Sequence, residues 1–199
     1  MRPDLAALVG SRICHDLISP IGAISNGVEL LSLAGSETGA EMDLIKQSVD
    51  NATARIRFFR VAYGASEGKR MMTSNEVSSI LAAYSSGVRV TFDWQLESDQ
   101  TRAMIKCAFL LLQALEAALP LGGVVTARND GGEWRFVAKG QRLSVDHAVW
   151  STLSDGDIAD TPEKASQVQF ALLPEALETT GQSLSFEETE DSFEITLTV

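Results

Sequence analysis

Three residue types able to do chemistry stand close together near the start of this chain. They are Arg12, His15 and Asp16 in SRICHDLISPIGAISNGVELL, with Pro20 five residues beyond the histidine. A neutral imidazole beside a carboxylate can attack a phosphorus centre, because the carboxylate or a hydrogen bond to the other ring nitrogen fixes the tautomer and stabilises the cation that forms. Guanidinium groups suit phosphoryl oxygens, so Arg12, one turn earlier, and Arg57 or Arg60 further on are candidates to hold them. Adjacent residues on a helix do not face each other, so Asp16 is expected to act through water or a shifted rotamer.

Other chemistries have less to work with. The two histidines, His15 and His147, lie in different halves, which is poor material for a metal site. Cys14 and Cys107 stand alone inside apolar helical patterns and are expected to be buried, inert thiols. No serine or cysteine sits in the strand–turn–helix elbow of a nucleophilic hydrolase.

The elements that must position His15 begin with two long helices over residues 3–66, with Pro3 in the first turn. Leu17, Ile21, Ile24, Val28 and Leu31 form an alternating four-and-three seam on the first helix. Met42, Ile45, Val49, Ala52, Ile56, Phe59 and Tyr63 do the same on the second. AGSETGA, with two glycines, separates them. A helical hairpin cannot cover both seams alone, so pairing of two hairpins into a four-helix bundle, and hence a homodimer, is expected. His15 lies about 200° around the helix from Leu17. It shares its face with Ser11, Arg12, Ile18, Ser19, Gly22 and Asn26, which is poor core material and good ground for a partner's approach. Pro20 cannot donate to the Asp16 carbonyl, so a bend is expected just past the histidine.

After the linker GASEGKRMMTSNE the pattern changes. TSNEVSSILAAYSS reads as a short helix, VRVTFDWQ as a half-buried strand and DQTRAMIKCAFLLLQALEAAL as a strongly apolar helix. VVTARNDGGEWRFVAKG reads as a hairpin turning at NDGG. Helices near DHAVWSTL and EKASQVQFALLPEALETT follow, the second carrying Pro174. Strands SLSFE and SFEITLTV, in which Phe193, Ile195, Leu197 and Val199 alternate, close the chain. This order suggests an α+β sandwich with helices on one face. The expected domains are therefore 1–66, a helical hairpin, and 72–199, the sandwich.

Bulk properties narrow the function classes. At 45% hydrophobic and 22% charged, the chain can build sizeable cores. A net charge of −11 with no basic patch argues against a nucleic-acid binder. No window approaches the ~20 apolar residues of a membrane span, and MRPDLAALVGSR lacks a signal peptide's apolar run, so a cytoplasmic location is expected.

HDLISPIGAISNGVELL resembles the phospho-acceptor motif of the dimerisation and histidine phosphotransfer domain of two-component sensor kinases. His15, Asp16, Leu17 and Pro20 match its H-[DE]-[LF]-x-x-P core in order and spacing. The resemblance implies that His15 is the phosphorylated residue and that Asp16 assists transfer. It also implies that the second half is a Bergerat-type, histidine-kinase-like ATPase domain. Its nucleotide positions depart from that pattern: RAMIKCAFLLLQALEAAL has no Asn for magnesium, AKGQR has Ala138 for the adenine-binding Asp and Arg142 for a Gly, and Gln167-Val168-Gln169 stands at the glycine site. Glutamines there keep backbone amides away from phosphates. A kinase-like architecture without ATP binding is therefore expected.

An intact histidine box with no ATP site is similar to the alphaproteobacterial histidine phosphotransferases of the ChpT kind, over nearly the whole chain. RICHDLISP, FRVAYGAS, TFDW and ALPLGGVVT carry that likeness. The resemblance implies a phosphorelay enzyme that takes a phosphoryl group from a hybrid kinase's receiver aspartate onto His15 and passes it to response regulators in cell-cycle control. It implies no cofactor bound by this chain, with Mg2+ coming from the receiver. The receiver is expected to dock around Ser11, Ile18, Ser19, Ile21, Gly22, Asn26 and Phe59, with Arg12 and Arg60 stabilising the phosphoryl group. An authentic kinase with a divergent nucleotide site, and a non-catalytic response-regulator scaffold, are the alternatives.

Overall fold

The computed structural model describes residues 4–34, 39–66, 70–130, 132–154 and 164–198. Pro3, Gly131, Val199 and most of the AGSETGA connection fall outside them. Two helices, α1 (Leu5–Ala34) and α2 (Gly39–Ala62), form the hairpin. Asp4 starts α1, its carboxylate accepting from the amides of Ala6 and Ala7 at 3.0 and 3.2 Å. The helix runs on through Pro20, which is buried beside Ser48 and Asn51 of α2. At Gly27 the helices approach so closely that a Cβ would lie 2.6 Å from Ile45 Cγ1.

The second half begins with a two-residue strand β1 (Met71–Met72), then α3 (Ser74–Ser85) and β2 (Val90–Trp94). β3 (Gln100–Thr101) leads into α4 (Arg102–Ala117), and β4 (Gly123–Asp130) and β5 (Glu133–Lys139) form the expected hairpin. α5 (His147–Ser154), α6 (Val168–Thr180), β6 (Ser183–Glu188) and β7 (Phe193–Thr198) complete the chain. Thr73 and Thr101 cap α3 and α4 through their hydroxyls. Gly181, at φ 65°, ends α6 in the left-handed conformation. The β1–β3 pair is too short to leave a period-two pattern, and the sequence reading missed it.

Five strands form one sheet in the order β2-β4-β5-β7-β6, with β2 parallel to β4 and the other pairs antiparallel. Its inner face carries Phe92, Val125, Ala127, Phe136, Ala138, Phe193 and Ile195, all buried under the helices. The other face carries Thr126, Arg128, Lys139 and Glu194, which line an open groove. This is the α+β sandwich with helices on one face. Its central helix is α4, buried almost continuously from Ile105 to Leu115.

The hairpin does not stand apart from this core. Phe58, Phe59, Val61 and Ala62, from the last turns of α2, belong to the same apolar cluster as Tyr84, Phe109 and Leu112. Tyr63 then donates to Gln113 Oε1 of α4 at 2.8 Å. The 1–66 and 72–199 segments read from the sequence are thus joined by packing as well as by the chain.

Candidate functional site

His15 and Asp16 are bonded directly. The imidazole Nδ1 lies 2.9 Å from Asp16 Oδ1. A carboxylate only accepts, so Nδ1 carries the hydrogen in the neutral ring and Nε2 keeps its lone pair. This differs from the indirect contact expected for neighbours on a helix. The reason lies one turn back, where Arg12 Nε holds Asp16 Oδ2 at 2.8 Å and draws the carboxylate across to the histidine. The His15 side chain is 84% exposed while that of Asp16 is 8% exposed. The result is a reactive edge in solvent held by a shielded anion, an arrangement fit for nucleophilic attack by Nε2 on an incoming electrophile.

The shielding comes from both halves of the chain. Arg55 of α2 reaches within 3.9 Å of Asp16 Oδ2, donates to Asn51 Oδ1 at 2.8 Å and donates to the Gly87 carbonyl at 3.1 Å. Its guanidinium lies over the Tyr84 ring, 6.0 Å from the centroid. Arg12 also contacts the Ser166 carbonyl at 3.4 Å. Tyr84 donates to Glu116 Oε2 at 3.1 Å. Burial pushes the Glu116 carboxyl up from its ordinary range, against the pull of the Tyr84 hydroxyl and the two arginines. A cavity of about 450 Å³ opens beside this network, with Arg89, Gln113 and Gln169 also in its wall.

Residues 74–192 match the family model described as the histidine phosphotransferase C-terminal domain. The chain belongs to the histidine phosphotransferase family. It is 37% identical over 173 residues to the protein phosphotransferase ChpT of Brucella abortus (strain 2308), covering 83% of this chain and 81% of that one. A solved bacterial phosphotransferase superposes with a TM-score of 0.78 at 31% identity, covering 98% of this chain and 96% of the other. This fold therefore extends over hairpin and sandwich together.

Of the positions that depart from the kinase pattern, three lie in the core of this phosphotransferase, whereas Arg142 is exposed and Gln167 half-buried. Ala138 is fully buried on the sheet's inner face, and Val168 and Gln169 are fully buried at the start of α6. Gly140 survives for a packing reason: a Cβ there would stand 2.6 Å from the Gly122 carbonyl oxygen. Gln113, the polar side chain in the middle of α4, serves the Tyr63 hydroxyl.

Most of the face read around the histidine is open. Ser11, Ser19, Gly22 and Asn26 are exposed, and Ile18 and Ile21 are 72% and 56% exposed. Phe59 is a correction. It is 3% exposed and stacks on Tyr63 at 5.3 Å, because α2 turns that edge into the common core. Cys14 is a second correction, since it is exposed while Cys107 is buried, with its thiol pushed up to about 12 by that burial. Cys14 lies seven residues before Ile21 and fourteen before Val28, so it shares their outward stripe. Arg12 turns its fork to Asp16 and Ser166, whereas Arg60 is exposed. His147 is a surface residue paired with Glu188 at 2.8 Å.

Arg55 escaped the sequence reading. One signal was available: it stands three residues before Phe58 and four before Phe59, which puts it on the buried side of α2.

Proposed function

We propose that this phosphotransferase relays a phosphoryl group between receiver aspartates through Nε2 of His15. The observation that carries the reading is the His15 ring itself, 84% exposed with Nδ1 bonded to a shielded carboxylate. In the charging step Nε2 attacks the phosphorus of an aspartyl phosphate on a hybrid kinase's receiver. A P–N bond forms, the acyl P–O bond breaks, and the receiver's carboxylate leaves. The ring becomes a cation with its Nδ1 hydrogen in place, and Asp16 stabilises that charge. In the discharging step a response regulator's aspartate attacks the same phosphorus and the neutral imidazole leaves.

Ser11, Ile18, Ser19, Gly22 and Asn26 share the His15 face and form the receiver's landing area in this reading. The outward positions of Ile21, Val28, Met42, Val49 and Ile56, between 42% and 56% exposed, support their use instead in a homodimer through a four-helix bundle. In this reading Mg2+ arrives with the receiver. Arg60, exposed like Arg57 on the last turns of α2, is the cation this reading assigns to the phosphoryl oxygens. Among the described residues no helix is long and apolar enough to cross a membrane, and the reading places the relay in the cytoplasm.

The test is acceptance of labelled phosphate from a phosphorylated receiver. The wild-type protein should take the label and His15→Ala should not, with dimer mass unchanged. Label on the alanine variant would sink the assignment.

A further inference from the structure

We propose that Arg12 and Arg55 are positioning residues that fix His15 through Asp16, and that the second half of the chain fixes them in turn through the carbonyls of Ser166 and Gly87. The inference rests on the reading of His15 as the phosphoryl acceptor and assigns the sandwich a part in it.

The argument starts from the Asp16 side chain, 8% exposed, which is a nearly buried charge. Such a group persists only when paired. Its two oxygens are divided: Oδ1 serves His15, while Oδ2 takes Arg12 at 2.8 Å and faces Arg55 at 3.9 Å. Rotating the carboxylate away from either arginine also moves the atom that holds the imidazole. The arginines, 17% and 19% exposed, are themselves restrained. Arg12 spans from Asp16 to the Ser166 carbonyl, just before α6. Arg55 is tied to Asn51 and to the Gly87 carbonyl beyond α3, and it lies over Tyr84, whose hydroxyl is held by Glu116 of α4. Only a planar, several-donor group can satisfy such divergent acceptors at once, which a lysine ammonium does less well.

A hairpin alone would leave both guanidiniums in water and free to rotate. Docked on the sandwich, they hold the carboxylate in one orientation. The neutral ring is thereby kept in its Nδ1–H form, with Nε2 ready to attack. Arg12 is thus withdrawn from direct contact with the phosphoryl group.

The two roles for Arg12 separate in the resting protein, before any phosphate is present. Nitrogen-15 NMR of full-length protein in a His147→Gln background reports the tautomer of His15 alone. Arg12→Gln should convert the Nδ1–H form to a mixture with the Nε2–H form. It should also slow phosphoryl acceptance about 10–100-fold, by analogy with the loss of hydrogen-bond partners that orient metal-bound histidines. Arg12→Lys should recover part of both, and Arg55→Lys should shift both in the same direction. Gly87→Ala adds no charge and lies in the other half, but its Cβ would meet Asn51 Nδ2 at 2.5 Å and dislodge the anchor of Arg55. It should shift the tautomer and slow acceptance about threefold, with the receiver's KM unchanged.

An unchanged tautomer in all four variants, whether or not acceptance falls, overturns the proposal. Circular dichroism guards against misfolding, and the lysine and alanine variants keep the test open if Arg12→Gln does not fold. If the tautomer shifts as expected but wild-type protein accepts no phosphate, the positioning stands and the relay reading fails.

Discussion

The Phe58 ring stacks on that of Tyr84 at a centroid distance of 4.2 Å and an interplanar angle of 22°. Phe58 also lies 4.8 Å from Phe109 of α4. A residue of the hairpin thus occupies the middle of the sandwich's core. Phe58→Ala should cost about 3–5 kcal/mol, because the cavity it leaves is walled by rings that cannot close over it. Wild-type protein should unfold in one transition, with far-ultraviolet ellipticity and the fluorescence of Trp94, Trp134 and Trp150 changing together. A separate, earlier loss of helix would show that the hairpin is energetically independent.

Asp16→Asn keeps the shape of the side chain and removes its charge. The amide can turn its NH2 toward His15, which then accepts at Nδ1 and places its hydrogen on Nε2. Phosphoryl acceptance should fall by up to about 10,000-fold, the drop seen when a serine-protease aspartate is replaced the same way. Single-turnover transfer from a labelled receiver checks this, and a rate within threefold of wild type would contradict the proposed part of Asp16.

The dimer proposal depends on the outward stripe of the hairpin. Ile21→Glu combined with Ile56→Glu places two carboxylates where each residue is now more than half exposed, so the folded chain should tolerate them. Light scattering should report the monomer mass for the double variant and twice that mass for wild type. An unchanged mass would move the interface elsewhere.

Alkaline titration probes the polar layer between the halves. The chain has two tyrosines, and burial pushes the Tyr63 hydroxyl up to about 12. Burial and then the Glu116 carboxylate push Tyr84 well above its ordinary value. A group whose folded value is raised contributes stability that is complete below its unfolded value, near 10, and lost as pH climbs through the folded one. Absorbance at 295 nm should therefore show no tyrosinate step around pH 10. It should rise toward pH 12 together with loss of ellipticity. Tyr63→Phe should retain its stability further into that window. A normal step at pH 10 in folded protein would mean that the layer is open to water.

Local pattern made much of this molecule legible. The apolar run from Ile105 to Leu115, the alternation in β7 and the NDGG turn each record a period set by backbone geometry, so the sequence carries them directly. His15, Asp16 and Pro20 drew notice for a different reason, since their types and spacing suggest a chemistry and fix a helical phase in one short stretch. Phe59 misled because seam periodicity cannot say which partner covers a position. Cys14 misled because an apolar neighbourhood in sequence need not be one in space.

The sequence by itself determined the order of the elements and set His15 beside Asp16, one turn after Arg12, because periodicity, caps and residue type are local properties. Tertiary structure alone decided that this local cluster is shielded from water, with the Arg12 and Asp16 side chains 17% and 8% exposed. It alone decided that Arg55 belongs to the site and that the sandwich supplies carbonyls 32 and 154 residues away. Those facts depend on how the hairpin packs on the sandwich, through the fit of Phe58, Phe59 and Ala62 into one shared core.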